Sequence, residues 1–291
     1  MTIQSLSVVV PNKACINHCK FCVSRQHCDK SVNLLEKSKA PWDYYTKAWY
    51  NRLAFARDNN CNTVMLTGES EPQQNMEFLQ FFSNMNSKLD SPFRSIEIQT
   101  TGVLLDQEYL RFLRDIVGVT TDSISVSAFD DDVNAEIIGM PAKAKVNLEQ
   151  LCHNIKALNM NLRLSVNLTN YFDRFTSGLE FFREAKQRYD ADQITLRVLY
   201  ADGDTPEANW VRENSASPET IARFTDFIRT SGHELGRLPY GRTKYSVYGM
   251  STVIDDDCMS KEQTGENYKY LILRPNCHLY SRWDDEGSLI F

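Results

Sequence analysis

Three cysteines stand within eight residues near the start of the chain, in the run Cys15-Ile16-Asn17-His18-Cys19-Lys20-Phe21-Cys22. Thiolates in a C-x3-C-x2-C arrangement can hold three corners of a cubic iron–sulfur cluster. Such clusters usually take four protein ligands, so one iron would be left open. A zinc knuckle is a competing use of the same thiols, with Cys28 or His18 as the fourth ligand that structural zinc prefers. Three thiols without a metal role are the third reading. The remaining cysteines, at 28, 61, 152, 258 and 277, are scattered. Cys61 and Cys152 read as small buried apolar residues. Cys258 and Cys277 lack the C-x2-C pairing of an additional cubane, so a single cluster is expected.

A loop of this kind needs regular elements to hold it. Short apolar runs predict strands near Leu6–Val10, Thr63–Leu66, Ser95–Gln99, Ser123–Ser127, Leu162–Asn167 and Gln193–Leu199. Between them the helical period predicts helices near Trp42–Arg57, Met76–Lys88, Gln107–Ile116, Leu148–Leu158 and Leu179–Tyr189, with another near Pro218–Thr230. Asp106 before Gln107, and Ser217 before Pro218, are start signals. Six strand–helix repeats imply an α/β fold with right-handed crossovers: a partial (β/α)6 TIM-like barrel whose chemistry gathers at the C-terminal ends of the strands. The cysteine triplet directly follows the first strand.

After about His233 the pattern changes to alternating stretches, Lys244–Ile254, Tyr268–Leu273 and Cys277–Trp283, with a turn at Asp284-Asp285-Glu286-Gly287. Residues 1–232 are therefore expected to form the barrel core. Residues 233–291 are expected to be a strand-rich capping extension packed on it.

The chain has 291 residues, 42% hydrophobic and 24% charged, with 32 basic and 38 acidic side chains and a formal charge of −6. These values exclude disorder, collagen and coiled coil, and suit one large or two small soluble domains. No apolar run approaches the roughly 18 residues of a membrane span. Met1-Thr2-Ile3-Gln4-Ser5 lacks the basic region and apolar core of a signal peptide. A cytoplasmic location with reduced thiols is expected. The acidic balance disfavours a nucleic-acid partner, although a local basic groove would still permit one.

Cys15, Cys19, Phe21 and Cys22 match every defined position of C-x3-C-x-aromatic-C, and on that motif the sequence resembles the radical S-adenosylmethionine (radical SAM) superfamily. The resemblance spans roughly residues 5–200. It implies that the three cysteines bind a [4Fe-4S] cluster whose open iron takes the amino and carboxylate groups of S-adenosylmethionine. Reductive cleavage would then yield a 5′-deoxyadenosyl radical that abstracts hydrogen from a substrate. Leu66-Thr67-Gly68-Glu69-Ser70-Glu71-Pro72 is similar to the family's Thr-Gly-x-Gly-Glu-Pro turn, with Ser70 where the second glycine would fall. By that likeness Thr67, Gly68, Ser70 and Glu71 would receive the methionine part of the cofactor. Glu71 is preferred to Glu69, and Phe21 would pack near the adenine.

Glu97-Ile98-Gln99-Thr100-Thr101-Gly102 is similar to the superfamily's strand-plus-Thr-Asn-Gly end. At later strand ends Ser127, Ser165, Asn167 and Arg197 are implied contacts for the cofactor's ribose and carboxylate. Each has a simpler use, since Ser or Asn often satisfies the following turn and Arg197 could pair with an internal carboxylate. The Asp130-Asp131-Asp132 and Asp255-Asp256-Asp257 runs read as solvated loops. His278 reads as a structural strand histidine. Arg237, Tyr240, Arg242, Lys244 and Tyr245, with Arg274 and Arg282, combine cations and aromatic rings that could receive an anionic substrate.

The expected function is hydrogen abstraction from a small-molecule, nucleotide-like substrate, served by an electron donor such as flavodoxin or ferredoxin. A peptide- or RNA-modifying radical SAM enzyme is the runner-up. A non-catalytic iron–sulfur or zinc-binding redox sensor is the rival from another class.

Overall fold

The computed structural model describes residues 2–26, 42–238, 242–256, 267–283 and 285–291. Its strands are β1 (Thr2–Ile3), β2 (Ser5–Val9), β3 (Thr63–Thr67), β4 (Ser95–Thr100), β5 (Thr121–Val126), β6 (Asn161–Asn167) and β7 (Gln193–Arg197). β8 (His233–Arg237), β9 (Thr243–Val247), β10 (Met250–Asp255), β11 (Asn267–Tyr268), β12 (Leu271–Leu273) and β13 (Leu279–Tyr280) follow. The helices are α1 (Val23–Gln26), α2 (Thr46–Asp58), α3 (Met76–Asn86), α4 (Gln107–Phe112), α5 (Asp131–Ile138), α6 (Leu148–Ala157), α7 (Gly178–Tyr189), α8 (Pro206–Asn214) and α9 (Pro218–Ser231).

Eleven strands form one sheet in the order β13-β12-β2-β3-β4-β5-β6-β7-β10-β9-β8. Every pairing from β12 through β2 to β7 and on to β10 is parallel. Among the described residues the connections between successive strands from β2 to β7 carry helices, which is the α/β partial barrel expected. The segment after residue 232 supplies parallel strands to both flanks, β10 beside β7 and β12 beside β2. Within Lys244–Ile254 the chain makes a hairpin rather than one strand, because Tyr248 (φ 50°) and Gly249 (φ 78°) take left-handed conformations that reverse it between β9 and β10.

Alternate residues divide the strands. Leu6, Val8, Val64 and Leu66 lie in one apolar cluster with α2 and α3, and Ile124, Leu164 and Leu196 in another with α6 and α7. The residues between them, among them Glu97, Ser125, Arg163, Ser165, Asn167 and Arg197, face the opposite side, the barrel's lumen. On the lower lumen, Arg163 pairs with Glu97 and donates to Gln193 Oε1 at 2.9 Å. Lys269 Nζ reaches Asp255 Oδ1 at 3.0 Å, joining the residue before β12's approach to the head of β10. Followed from Lys269 strand by strand, the pairings arrive at a point before β10 begins. The ion pair therefore joins the sheet's flanks with the upward stagger of a closing barrel.

Two aspartate runs differ from the loops expected. Asp130 caps α5, its carboxylate accepting from Val133 N–H at 3.0 Å, so Asp131 and Asp132 form the first helical turn. Asp255 ends β10 inside the fold. Asp257, Cys28, Cys258, Tyr240 and Asp284 lie outside the described residues.

Candidate active site

The cysteine loop leaves the head of β2 and is held by the turn that leaves the head of β3. Asn12 Nδ2 donates to Ser70 Oγ at 2.7 Å and to the Glu71 carbonyl at 3.0 Å. The Gln74 amide spans the loop, accepting from Ile16 N–H and donating to the Ala14 carbonyl, both at 3.0 Å. Asn75 caps α3 with its oxygen and donates to the Pro11 carbonyl at 2.6 Å. These side chains give the loop's backbone partners that no helix or ladder could supply.

Glu71 is the hub of this arrangement. Its carboxylate is buried and accepts from Asn17 Nδ2 at 3.0 Å, Gln73 Nε2 at 2.7 Å, Thr100 Oγ1 at 2.6 Å and Thr101 N–H at 3.1 Å. It thereby ties the cysteine loop, its own turn and the head of β4 together. Glu69 is held by a different element: Arg274, almost wholly buried, donates to Glu69 Oε1 at 3.0 Å. Arg274 also lies 5.7 Å from the ring centroids of Tyr280 and Trp283. Gly68 packs against β2's end, where an added Cβ would lie 3.2 Å from the Val10 carbonyl oxygen. Thr67 closes β3, its carbonyl accepting from Val10 N–H at 2.8 Å.

The far side of the loop rests on the C-terminus of α5. Lys20 N–H donates to the Ile137 carbonyl at 3.0 Å, and His18 N–H to the Ile138 carbonyl at 3.2 Å. Gly139, at φ 64°, ends the helix against them. Phe21 meets Trp210 of α8, with ring centroids 6.3 Å apart. Gln26, next in α1, donates to the Tyr200 carbonyl at 2.9 Å and accepts from Asp202 N–H at 2.9 Å.

All three thiols are pushed up. Burial is the largest cause in each case, and Cys19 is raised well above its ordinary value. Glu71 and the neighbouring thiolates add repulsion at Cys15 and Cys19. Opposing this, backbone N–H groups of Asn17 and Glu71 serve Cys15, and those of Ser24 and Arg25 serve Cys22, aided by the Arg25 charge. Partly buried sulfurs that repel one another, two of them served by amides of neighbouring residues, are what a cationic iron centre would relieve, so the donor set fits a cluster. Among the described residues no three His, Cys, Asp or Glu side chains close on a single ion. A cubane differs in taking each thiolate at a separate corner.

At the strand heads, Asn167 Nδ2 donates to Ser125 Oγ at 3.0 Å and to Ser127 Oγ at 3.2 Å. Ser127 N–H donates to Asn134 Oδ1 of α5 at 2.8 Å. Arg197 donates through Nε to Ser165 Oγ at 2.6 Å and through Nη1 to Asp255 Oδ2 at 3.2 Å. These four residues thus form two linked pairs on neighbouring strands. Asn17, Gln73, Gln74, Asn134 and Gly139 were not predicted as site residues. Only Gly139, a glycine after a capped helical stretch, carried a sequence signal.

A family model for the radical SAM superfamily matches residues 9–208. A search of curated proteins found no match to the sequence. Among solved structures, native anSMEcpe with bound AdoMet superposes with a TM-score of 0.61 at 13% identity, over 99% of this chain and 77% of the other. Native anSMEcpe with bound AdoMet and Kp18Cys peptide gives 0.60 at 12% identity, over 99% and 76%. At such identities these likenesses establish a shared fold. Cysteine motif, fold and family match coincide: the chain belongs to the radical SAM superfamily, whose enzymes use a [4Fe-4S] cluster and S-adenosylmethionine.

Proposed function

We propose that this chain is a radical SAM enzyme in which Cys15, Cys19 and Cys22 hold the cluster and a small molecule in the barrel lumen is the substrate. The observation that carries the reading is the loop itself: three partly buried thiols at the head of β2, two with backbone amides serving the sulfur. When bound, the cluster and S-adenosylmethionine supply reductive cleavage and a 5′-deoxyadenosyl radical that takes hydrogen from the substrate.

The chain's own residues bind, orient and shield. Glu71 fixes the cysteine loop to the head of β4 through Asn17 and Thr101. Gly68 and Ser70 border the place for the methionine part; Glu71, preferred on the sequence, is buried and engaged by four donors, so the more exposed Glu69 is the carboxylate beside that place. Phe21, backed by Trp210, is the face offered to the adenine. Ser127 and Asn167 are buried and bonded to each other, so they brace the heads of β5 and β6 that border the ribose place. The described strands β10 and β12, after residue 232, complete the two flanks of the sheet around its lumen.

A peptide substrate is the second reading, supported by a fold neighbour that carries a bound peptide and spans 99% of this chain. The test is to incubate the reduced, reconstituted protein with S-adenosylmethionine and deuterated nucleotides, small metabolites and peptides. Deuterium in 5′-deoxyadenosine from a small molecule is expected. Transfer from peptides alone would favour the second reading, and absence of any 5′-deoxyadenosine would contradict the enzymatic one.

A further inference from the structure

The lumen above the Glu97–Arg163 pair carries a second charged cluster. Arg197 at the head of β7 and Lys269 before β12 both grip Asp255 at the head of β10, at 3.2 and 3.0 Å. By strand alternation Arg197 and Asp255 share one level of the lumen, paired in register. Within the lumen Arg163 faces Glu97 at the lower level, and Arg197 and Lys269 converge on Asp255 above it.

Nor is the cluster sealed. The side chains of Arg197, Lys269 and Asp255 keep 32%, 24% and 14% of their exposure. Arg197 spends Nε on Ser165 and Nη1 on Asp255, while its Nη2 donates to no described residue. A guanidinium fork with one arm open beside an ammonium is a receptor for oxyanions.

The geometry points to an anion-binding subsite at the heads of β7 and β10, in which Arg197 and Lys269 receive a carboxylate or phosphate of the substrate. Asp255 holds both cations ready and is itself the competing anion. The inference rests on the enzymatic reading above and narrows its substrate to an anionic compound.

The test is calorimetric titration of the reconstituted, cofactor-loaded protein with inorganic phosphate and, separately, acetate, at low salt. The tighter of the two identifies the preferred group. R197Q and K269Q should each weaken it roughly tenfold or more, the scale of one charged hydrogen bond. R197K should recover part of that loss. D255N, which removes the competing charge and keeps the shape, should tighten binding several-fold. A purely structural ion-pair network predicts the opposite sign for D255N, and weakening there would overturn the proposal. So would failure of both anions to bind, or a loss of S-adenosylmethionine affinity in R197Q with anion binding intact. The same preparation is assayed for 5′-deoxyadenosine. A wild-type protein that makes none contradicts the enzymatic reading, whereas one that makes it but binds neither anion contradicts the subsite.

Discussion

Replacing Gly139 with alanine should lift the cysteine loop from its seat. The new Cβ would stand 2.5 Å from the His18 carbonyl oxygen and 2.8 Å from its carbon, distances that real Cβ atoms do not tolerate. The φ of 64° adds about 1–2 kcal/mol for any residue with a Cβ. Relief of the clash requires the loop's backbone to move. That would strain the bonds from His18 N–H to Ile138 and from Lys20 N–H to Ile137, each worth about 1 kcal/mol. The whole perturbation is then about 3–4 kcal/mol, and most of it falls on the loop that carries Cys19. Gly203 provides the control, because it has φ 67° and nothing within 4 Å of its notional Cβ. G203A should cost only the backbone share and leave iron loading alone. The assay is denaturant unfolding of both variants, with iron content and 5′-deoxyadenosine yield after anaerobic reconstitution. G139A should lose stability beyond G203A and retain less iron. If the two variants unfold alike and load iron alike, the seating of the loop on α5 is refuted.

Asp122 lies fully buried with neither carboxylate oxygen partnered among the described residues, and burial, with the nearby Glu97 charge, pushes it up to about 7. Because its folded value is raised, its contribution is complete below the unfolded value near 4. It is lost as pH rises toward 7, on the order of 4 kcal/mol. Wild-type stability relative to D122N should therefore fall across that window, and a flat difference would remove the claim. R274A strands Glu69 beside the turn after β3 and should cost about 3 kcal/mol in chemical denaturation. A loss below about 1 kcal/mol would mean that Arg274 is not holding that turn. Burial pushes the Cys61, Cys152 and Cys277 thiols up to about 12, so none should react with iodoacetamide in the folded protein at pH 8. Labelling at native rates comparable to a free thiol would contradict their burial.

The parts of this fold that sequence reasoning reached are those written locally. The cysteine triplet is eight consecutive residues, and each of the first parallel strands is an apolar run long enough to be recognised alone. Other features were misread because two local signals competed. Asp130-Asp131-Asp132 reads as a charged loop, yet Asp130 is a helix cap and the apolar residues Val133, Ile137 and Ile138 follow at helical spacing. Helix α8 begins with Thr205 and Pro206, good start signals, but only Ala208 and Val211 are buried, so its apolar stripe is too thin to detect. Glu71 stood out only by its likeness to the family's turn, and its role as a hub could not be read. Asn17, Glu71, Gln73 and Thr100 lie on three separate segments, and polar residues in loops carry no periodicity to announce a meeting. Likewise Lys269 and Asp255 meet only because the sheet curves.

The central claim is that Cys15, Cys19 and Cys22 hold a catalytic iron–sulfur cluster. Its most direct test is anaerobic reconstitution of the wild-type protein and of the triple alanine variant, with iron, zinc and reductant-dependent 5′-deoxyadenosine measured in parallel. The wild type should carry about four irons per chain and cleave S-adenosylmethionine, and the triple variant should do neither. Cleavage that persists without the three thiols, or a wild-type protein that takes up zinc and no iron, would contradict it.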